Sequence, residues 1–310
     1  MPSDVSPSAS SPEALPKLTI VFVNYNTAEL LKDALASLAE NRPRFGIELI
    51  VVDNASTEDE HLDPTGFALP FQLIRNQTNR GYGPAANQGI AQARGEYVAI
   101  ANTDIKFIDH SVQLLVDFLG QQPAAGVVSP LFLWADGTPQ SPARRFPKIR
   151  YLFAGRRSIL RPLFPRWRRF REFTYAGIEN SPGAVEVEVV FGTFMVAPRQ
   201  LLRELGGFDE HYTFYVEDVD LCRRIHESGR KIFVLPQARV IHYLGWARHR
   251  RGMAAESRRV RGFFRYYRLN YPLLTGFFFL LFGGYLALLY CASLLGLHEP
   301  EHSRQRPEAA

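Results

Sequence analysis

The sequence has few cysteines and no charged residue between Tyr271 and Leu297. Its two cysteines, Cys222 in a charged segment and Cys291 in an apolar run, are poorly placed to pair with each other. This pattern argues against a disulfide-stabilised secreted domain and favours a reducing compartment. Residues 1–17 also lack an apolar core, so they do not form a secretory signal, and their Pro and Ser content predicts a disordered leader.

The composition favours a globular enzyme over a disordered chain, with 46% apolar and 22% charged residues. The formal charge is only +5, but the arginines are concentrated in residues 144–171 and 248–268. Such basic patches are typical of chains that meet phosphates in nucleic acid, anionic lipid or a pyrophosphorylated substrate.

The charge-free run at 271–297 predicts a single transmembrane helix. The alternative is a buried core helix, although soluble core helices rarely run so long without a charge. Eight arginines precede the run in residues 248–268, and only Arg304 and Arg306 follow it. The excess of positive charge predicts an inner-membrane protein whose catalytic domain faces the cytoplasm. The expected organisation is therefore a domain at 18–246, a basic juxtamembrane segment at 247–270, the span, and a polar tail at 298–310.

Strand and helix patterns alternate through the first part of the chain. Buried strands are predicted at LTIVFVNYN, IELIVVDNAS, FQLIRN and EYVAIANTD. Helices are predicted between Thr27 and Asn41, with Thr27 as the N-cap, and between Pro84 and Arg94. This alternation predicts an α/β fold with a mostly parallel, Rossmann-like sheet, which binds ligands at the carboxyl ends of its strands.

Three of these strands end in polar residues, which predicts a binding rim made of Asn24, Asp53 and Asp104. A carboxylate such as that of Asp53 can accept hydrogen bonds from a nucleotide base or a ribose. Because Asp-Asn is also an ordinary turn dipeptide, Asp53 taken alone is weak evidence for a binding site, and a simple turn is the alternative.

The segment NRGYGPAANQG predicts a loop where backbone can approach a ligand before a helix begins. Arg80 could contact phosphate oxygens there, and Asn87 is expected on the same rim one turn into the helix. The alternative is a plain loop leading into a helix.

The sequence NTD at Asn102, Thr103 and Asp104 is a candidate cation site. Mg²⁺ or Mn²⁺ bound to a diphosphate needs only one or two protein oxygens, which Asp104 can supply. His242, which follows a hydrophobic strand, could complete that site. A strand-terminal Asx turn and a structural histidine are the alternatives.

The sequence YVEDVDL brings the carboxylates of Glu217, Asp218 and Asp220 together at the predicted start of a helix. The helix N-terminus offsets part of their mutual repulsion, and acids crowded in this way often perform acid–base chemistry. A capped, solvent-exposed helix start is the alternative.

In order and spacing, these segments resemble the inverting GT-A glycosyltransferases from about Leu18 to Trp246. The matching run is VFVNYN, VVDNAS, NRGYGPAANQG, NTD, GTFMVAP with GGFDE, FYVEDVDLCRR and VIHYLG. Within that superfamily the chain looks most like bacterial rhamnosyltransferases that extend polysaccharide precursors. Galactofuranosyl and N-acetylhexosaminyl transferases share most of these signatures.

The resemblance implies a role for each motif. Asp53 would read the donor base, Asp104 would hold a divalent cation (Mn²⁺ or Mg²⁺), and His242 would be a second metal ligand. Asp218 would be the general base, with Glu217 and Asp220 as supporting acids. One departure is Asn102, which stands where the family has the first acid of an Asp-x-Asp motif and brings no charge to the cation.

The expected function is transfer of L-rhamnose from dTDP-rhamnose to a glycan or lipid-linked acceptor in cell-envelope polysaccharide synthesis. UDP-sugar-dependent galactofuranosyl or N-acetylhexosaminyl transfer is the alternative within the superfamily. The basic stretch 144–171 could contact an anionic membrane and a lipid-linked pyrophosphate acceptor. A membrane-tethered nucleic-acid binder leaves the carboxylates at the rim unexplained, so nucleic acid is not an expected partner. A catalytically idle nucleotide-sugar scaffold is a third possibility because of Asn102.

Overall fold

The predicted alternation of strands and helices is present in the first part of the chain. The computed structural model describes residues 15–57, 62–151, 168–212, 215–243 and 253–294. Helix α1 joins β1 to β2, and helix α2 joins β3 to β4. The elements are β1 (Leu18–Asn24), α1 (Ala28–Glu40), β2 (Ile47–Asp53), β3 (Gln72–Arg75), α2 (Tyr82–Gln92) and β4 (Tyr97–Asn102).

The second part of the domain has shorter and less regular elements. They are β5 (Ile105–Phe107), α3 (Ser111–Gln121), β6 (Ala125–Leu133), β7 (Ala143–Arg144), α4 (Arg168–Phe173), β8 (Val185–Val187), β9 (Val189–Val190), β10 (Phe194–Pro198), α5 (Arg199–Glu204), α6 (Glu217–Glu227) and β11 (Lys231–His242). Most of the basic stretch 144–171 lies outside the described residues, which omit 152–167.

The main sheet is mixed rather than mostly parallel. Its order is β3-β2-β1-β4-β10-β6-β11-β5, with β8 also paired to β11. The pairs among β1, β2, β3 and β4 and the pair β6–β11 are parallel. Strand β10 runs antiparallel to both of its neighbours, and β5 and β8 run antiparallel to β11. The α/β architecture is confirmed, and the parallel arrangement holds for the half of the sheet with helical crossovers.

Apolar side chains cover both faces of the sheet, which is why its central strands read as continuous apolar runs. Along β1, Val21 packs into the cluster that holds residues of α2, α5 and α6, whereas Ile20 and Phe22 pack against α1 and α3. All three side chains are fully buried. This packing fixes the carboxyl ends of β1, β2 and β4 at one rim.

Thr27 contributes to that rim in a way the sequence did not predict. It directly precedes α1, but its side chain makes no capping hydrogen bond. The Thr27 hydroxyl instead donates to Asn24 Oδ1 at 2.9 Å and lies 2.8 Å from the Thr103 hydroxyl. Thr27 therefore links the ends of β1 and β4.

The C-terminal part forms a helical hairpin, and the predicted transmembrane span at 271–297 is not found. A one-turn 3₁₀ helix at Pro272–Leu274 lies at the start of the charge-free run and separates α7 (Met253–Asn270) from α8 (Thr275–Leu294). One face of α8 packs on α7, where Phe278 stacks on Tyr267 at 4.2 Å. Across the part of the chain that the structure describes, no helix has both the length and the apolar character to cross a membrane.

The predicted segment boundaries fall largely outside the described residues. The structure does not describe residues 1–14, Trp246 with the start of the juxtamembrane segment, or the tail at 298–310. Lys17, assigned to the leader, is attached to the domain, since its backbone N–H donates to the Gly46 carbonyl at 2.9 Å.

Candidate active site

The ends of β1 and β2 bring Asn24 and Asp53 side by side, as their pairing register requires. Asn24 Nδ2 donates to Asp53 Oδ1 at 3.1 Å, and the Ser56 hydroxyl donates to the same oxygen at 2.5 Å. Asp53 is buried. The carboxylate is therefore held in one orientation at the rim, which suits a group that reads a ligand by hydrogen bonding.

The loop before α2 is tied to the same rim by Asn54, a residue that the sequence analysis did not single out. Asn54 Nδ2 donates to the Gly81 carbonyl at 3.1 Å, and Asn54 Oδ1 accepts from the Arg80 backbone N–H at 3.0 Å. Gly81 has φ of +92°, a conformation that favours glycine. The Arg80 side chain is exposed at this edge. The signal for Asn54 was its position directly after Asp53.

Asn87, predicted to face the donor, is engaged elsewhere. Its side chain accepts from the Phe208 backbone N–H at 2.8 Å and donates to the Phe208 carbonyl at 2.9 Å. It also donates to Glu210. These hydrogen bonds attach α2 to the loop after α5. The Asn87 side chain therefore holds that loop in this structure.

Asp104 and His242 come together because β5 pairs with the end of β11. His242 Nε2 lies 3.5 Å from Asp104 Oδ2, and both side chains are buried. Asp104 Oδ1 is also buried and has no hydrogen-bond partner among the described residues. Gln140 fixes the imidazole, with its Oε1 3.1 Å from His242 Nδ1 and its Nε2 donating to the His242 carbonyl. An Nδ1–H directed at Gln140 leaves Nε2 with a lone pair facing Asp104.

These two side chains fit a cation that is also held by a diphosphate, which needs few protein ligands. They do not fit a metal held by protein alone. Within the described ranges, no group of three or more His, Cys, Asp or Glu side chains could hold a metal ion. Asn102, at the end of β4, adds no charge, and its backbone N–H donates to the Thr193 carbonyl at 2.8 Å.

The acid pair lies at the start of α6, after a strained turn. Tyr215 and Val216 both have left-handed backbones, with φ of +67° and +72°. A β-branched residue in that region is a genuine outlier, so the surrounding packing must hold the turn in place. Helix α7 packs directly on it, because a Cβ added at Gly262 would lie 3.1 Å from the Tyr215 carbonyl oxygen.

Asp218 is paired with Arg144, a contact across 74 positions of sequence. Arg144 Nη2 donates to Asp218 Oδ1 at 2.8 Å and to Oδ2 at 3.0 Å. Asp218 Oδ1 also accepts from the Val219 backbone N–H at 2.8 Å. The Arg144 guanidinium lies over the Phe191 ring, 4.9 Å from its centroid. Sequence reasoning had assigned Arg144 only to a basic stretch.

Tyr82 lies beside Asp218, because a Cβ added at Gly192 would be 3.6 Å from the Tyr82 ring and 3.7 Å from the Asp218 Cβ. Its hydroxyl donates to the Gly192 carbonyl at 2.6 Å. Burial raises the pKa of Tyr82 well above its ordinary value, and the charges of Glu217, Asp218 and Asp104 raise it further. Asp104 of the strand rim and the acids of α6 therefore influence the same side chain.

Asp220, predicted to support the acids, is occupied by other partners. It is buried, and its two oxygens pair with Arg223 at 3.3 Å and Arg224 at 2.7 Å. These arginines neutralise Asp220 within α6. The carboxylates available to the site are thus Glu217 and Asp218.

Glu217 is the most perturbed acid of the site. Burial, and after it the charge of Asp218, raises the pKa of Glu217 to about 8. Its Oε2 has no hydrogen-bond partner within the described part of the chain. At neutral pH Glu217 is therefore mostly protonated, and it leaves the ionised role to Asp218.

The raised pKa of Glu217 predicts a stability that falls with pH. Because the folded-state pKa lies above the ordinary value of 4.5, the contribution is full below pH 4.5 and is lost as pH rises through about 8. We expect Glu217→Gln, which stays neutral, to lose less free energy of unfolding than the wild type between pH 5 and pH 8, measured by urea denaturation. Glu40→Gln at an exposed position of α1 is the control. Equal pH dependence in all three proteins would contradict the assignment.

The chain is similar in sequence to known glycosyltransferases. The profile described as glycosyl transferase family 2 matches residues 19–205. An N-acetylglucosaminyl-diphospho-decaprenol L-rhamnosyltransferase of Mycobacterium tuberculosis is 31% identical over 241 residues, which cover 73% of this chain and 76% of that protein. The profile match includes the strand rim, Tyr82 and Arg144, and it ends before the acid pair.

Two solved structures share the fold. A crystal structure of GalNAc-T7 with UDP, GalNAc and Mn²⁺ has a TM-score of 0.56 at 16% identity, covering 74% of this chain and 43% of that one. The mannosyltransferase PcManGT from Pyrobaculum calidifontis, in complex with GDP-Man and Mn²⁺, has a TM-score of 0.55 at 20% identity, covering 97% and 85%. The predicted GT-A architecture of the globular domain is thereby confirmed.

Proposed function

This chain belongs to glycosyl transferase family 2, and on that premise we propose that it transfers L-rhamnose from dTDP-rhamnose to a lipid-linked acceptor. The acceptor is an N-acetylglucosaminyl diphospholipid, the product an early precursor of a cell-envelope polysaccharide, and the reaction inverts the anomeric centre. The observation that carries the proposal is the combination of the buried Asp104–His242 pair at the strand rim with Asp218, buried at the start of α6. The M. tuberculosis relative, named for this sugar and acceptor, supports the choice of substrates.

The strand rim suits the nucleotide half of the donor. Asp53, oriented by Asn24 and Ser56, accepts hydrogen bonds from the base or ribose. The exposed Arg80 side chain is available to the diphosphate on the loop that Asn54 holds. The amide of Asn102 suits a ribose hydroxyl.

Asp218 suits the acceptor half of the reaction. It accepts the proton of the acceptor hydroxyl while that oxygen attacks the anomeric carbon, and the nucleoside diphosphate leaves with the bonding electron pair. Protonated Glu217 beside it adds no second negative charge.

Asp104 Oδ1 and His242 Nε2 would hold a divalent cation, Mn²⁺ or Mg²⁺, together with the donor diphosphate. When bound, such a cation neutralises negative charge on the departing diphosphate. The Mn²⁺ named with both similar structures supports this assignment. Because Asn102 replaces an acid, the cation would have fewer charged protein ligands. We therefore expect the activity to depend less on the metal than it would with two acids in the motif.

Location at the cytoplasmic face of the inner membrane remains a prediction. Its first argument was the transmembrane span, which is not found among the described residues. A lipid-linked acceptor, as named for the relative, gives it separate support because the reaction then takes place beside a membrane.

A galactofuranosyl or N-acetylhexosaminyl transferase that uses a UDP-sugar is the other candidate. The GalNAc-T7 structure holds UDP and GalNAc, but at 16% identity it supports the fold and not the sugar. Donor binding separates the two candidates.

A thermal-shift screen of the full chain with dTDP-, UDP- and GDP-sugars tests the donor and the cation together. We expect dTDP-rhamnose with Mn²⁺ to stabilise the protein most, by about 2.7 kcal/mol at 100 times the dissociation constant. Asp104→Asn should remove the Mn²⁺-dependent part of that stabilisation and keep the metal-free part. Asp109→Asn, an exposed acid paired with Arg239, is the matched control.

Three outcomes would contradict parts of the proposal. A larger response to a UDP-sugar would replace the rhamnose assignment with the second candidate. An unchanged Mn²⁺ response in Asp104→Asn would remove Asp104 from the cation site. Donor binding without donor hydrolysis or sugar transfer, with or without Mn²⁺, would indicate an idle scaffold.

A further inference from the structure

The Arg144–Asp218 ion pair occupies the carboxylate that the proposed function needs as a base. One guanidinium nitrogen, Nη2, contacts both carboxylate oxygens, at 2.8 and 3.0 Å. The two side chains are 22% and 12% exposed, so the pair is largely shielded from water. Because both carboxylate oxygens are engaged by the guanidinium, a hydroxyl that approaches Asp218 must compete with a charge-assisted contact.

Arg144 also has hydrogen-bonding capacity that the protein does not use. Its Nε is buried and has no partner within the described part of the chain. A guanidinium offers donors in a planar fork that matches the oxygens of a phosphate. An incoming phosphate could therefore satisfy Nε–H and compete with Asp218 for the same side chain.

The backbone of Arg144 belongs to a short strand, so a change of partner would come from the side chain alone. Arg144 ends the two-residue strand β7, which pairs only with β9 in a separate two-stranded sheet. The guanidinium lies over the Phe191 ring, a face along which a planar cation can reorient while keeping its contact.

The position of Arg144 favours the acceptor over the donor as the source of that phosphate. The predicted donor residues lie at the carboxyl ends of β1, β2 and β4, whereas Arg144 contacts α6 and the segment that leads into β10. Arg150, which is exposed, follows Arg144 closely and adds positive charge on that side, whereas Lys148 is paired with Glu188 at 3.4 Å.

We propose that Arg144 is a specificity-determining residue that holds Asp218 until the diphosphate of the acceptor draws the guanidinium away. This inference rests on the proposed function, since it assumes that Asp218 is the base. Without an acceptor, the ion pair keeps Asp218 from activating water. With a diphosphate-bearing acceptor, the same guanidinium binds the acceptor and releases the base beside the hydroxyl that reacts.

The reaction that the pair suppresses is hydrolysis of the donor. In that reaction a water oxygen bonds to the anomeric carbon, its proton passes to Asp218, and the nucleoside diphosphate leaves with the electron pair. Arg144 would therefore determine two properties of the enzyme. These are slow hydrolysis of the donor and preference for an acceptor that carries a diphosphate.

The test compares wild type, Arg144→Gln and Arg239→Gln in three assays of the full chain. The assays are donor hydrolysis without acceptor, transfer to an N-acetylglucosaminyl diphospholipid, and transfer to a neutral alkyl N-acetylglucosaminide. For Arg144→Gln we expect hydrolysis to rise about tenfold, transfer to the diphosphate acceptor to fall about tenfold, and transfer to the neutral acceptor to stay equal or rise. Arg239→Gln, which removes an arginine from an ion pair with Asp109, should change none of the three.

Other results would overturn the proposal. A parallel fall in all three activities of Arg144→Gln would mean that Arg144 only orients Asp218, and Arg144→Lys should then restore them together. Equal losses with the diphosphate and neutral acceptors would mean that Arg144 does not read the diphosphate. If wild type itself neither hydrolyses nor transfers any donor sugar, the proposed function fails first, and this result is distinct from failure of the Arg144 proposal.

Discussion

Asp218→Asn should lower the rate of sugar transfer by about 10²–10⁴-fold, the usual contribution of a general base. The amide keeps the shape of the side chain but cannot take up the acceptor proton. Donor binding should change little, because the predicted donor residues lie at the ends of β1, β2 and β4, whereas Asp218 lies on α6. The measurements are the initial rate of transfer and a thermal shift with donor, which also shows that the variant is folded.

Asp117→Asn supplies the matched control for this change. Asp117 is exposed on α3, where it accepts hydrogen bonds from Gln113, and its amide variant should transfer sugar at the wild-type rate. Transfer by Asp218→Asn within threefold of wild type would show that another group accepts the proton. Equal loss of donor binding and of transfer would instead mean that Asp218 contributes to the donor site.

Gly95→Ala should destabilise the protein by about 3 kcal/mol or more. An added Cβ would lie 2.4 Å from the Thr19 backbone nitrogen and 2.7 Å from the Tyr97 carbonyl oxygen. Both atoms belong to the paired strands β1 and β4, so the main chain itself would have to move. Chemical denaturation of the full chain measures the change in the free energy of unfolding.

Gly120→Ala makes the same chemical change where there is room for it. Gly120 lies in α3, and an added Cβ would meet no atom closer than 4.0 Å, the Tyr97 hydroxyl. Alanine is favoured over glycine inside a helix, so this variant should be more stable by about 0.5–1 kcal/mol. If Gly95→Ala and Gly120→Ala had equal free energies of unfolding, the backbone between β1 and β4 would accommodate the added methyl group without destabilisation.

The first half of the fold could be predicted because its signals are local. Apolar runs that end in polar residues marked β1, β2 and β4, and the helical spacing of Leu30, Leu31, Leu35 and Leu38 marked α1. The antiparallel strands β5, β8 and β10 are three to five residues long, and their partners are set by packing across the sheet. A parallel sheet was therefore the natural expectation, and the mixed sheet was not readable from the chain.

The C-terminal run shows where composition and contacts differ. Composition predicted a transmembrane helix at 271–297, which is not found among the described residues. One face of α8 packs against α7, where Phe278 stacks on Tyr267 and the Tyr285 hydroxyl donates to Glu256 at 2.7 Å, whereas Phe279, Leu280 and Leu288 are exposed. These contacts cannot be read from composition.

Within the candidate site, motif order predicted the residues that come from single strand or helix ends. Asp53, Asp104 and Asp218 lie at such positions, and the structure brings their elements to one site. Arg144 could not be predicted, because its contact with Asp218 depends on a loop whose basic composition suggested a surface role. The resemblance already separated Asp218 as the base from Asp220 as a supporting acid, and the structure adds that Asp220 is paired with two arginines one turn along α6.

The strained turn at Tyr215 and Val216 makes the acid pair depend on a distant part of the chain. A left-handed valine is not stable on its own, and Gly262 of α7 is the residue that lets a helix press against it. The geometry of the base and the docking of the C-terminal hairpin are therefore a single cooperative unit. We therefore expect conditions that loosen the hairpin, such as heat, to disturb the position of Asp218 before the sheet itself unfolds.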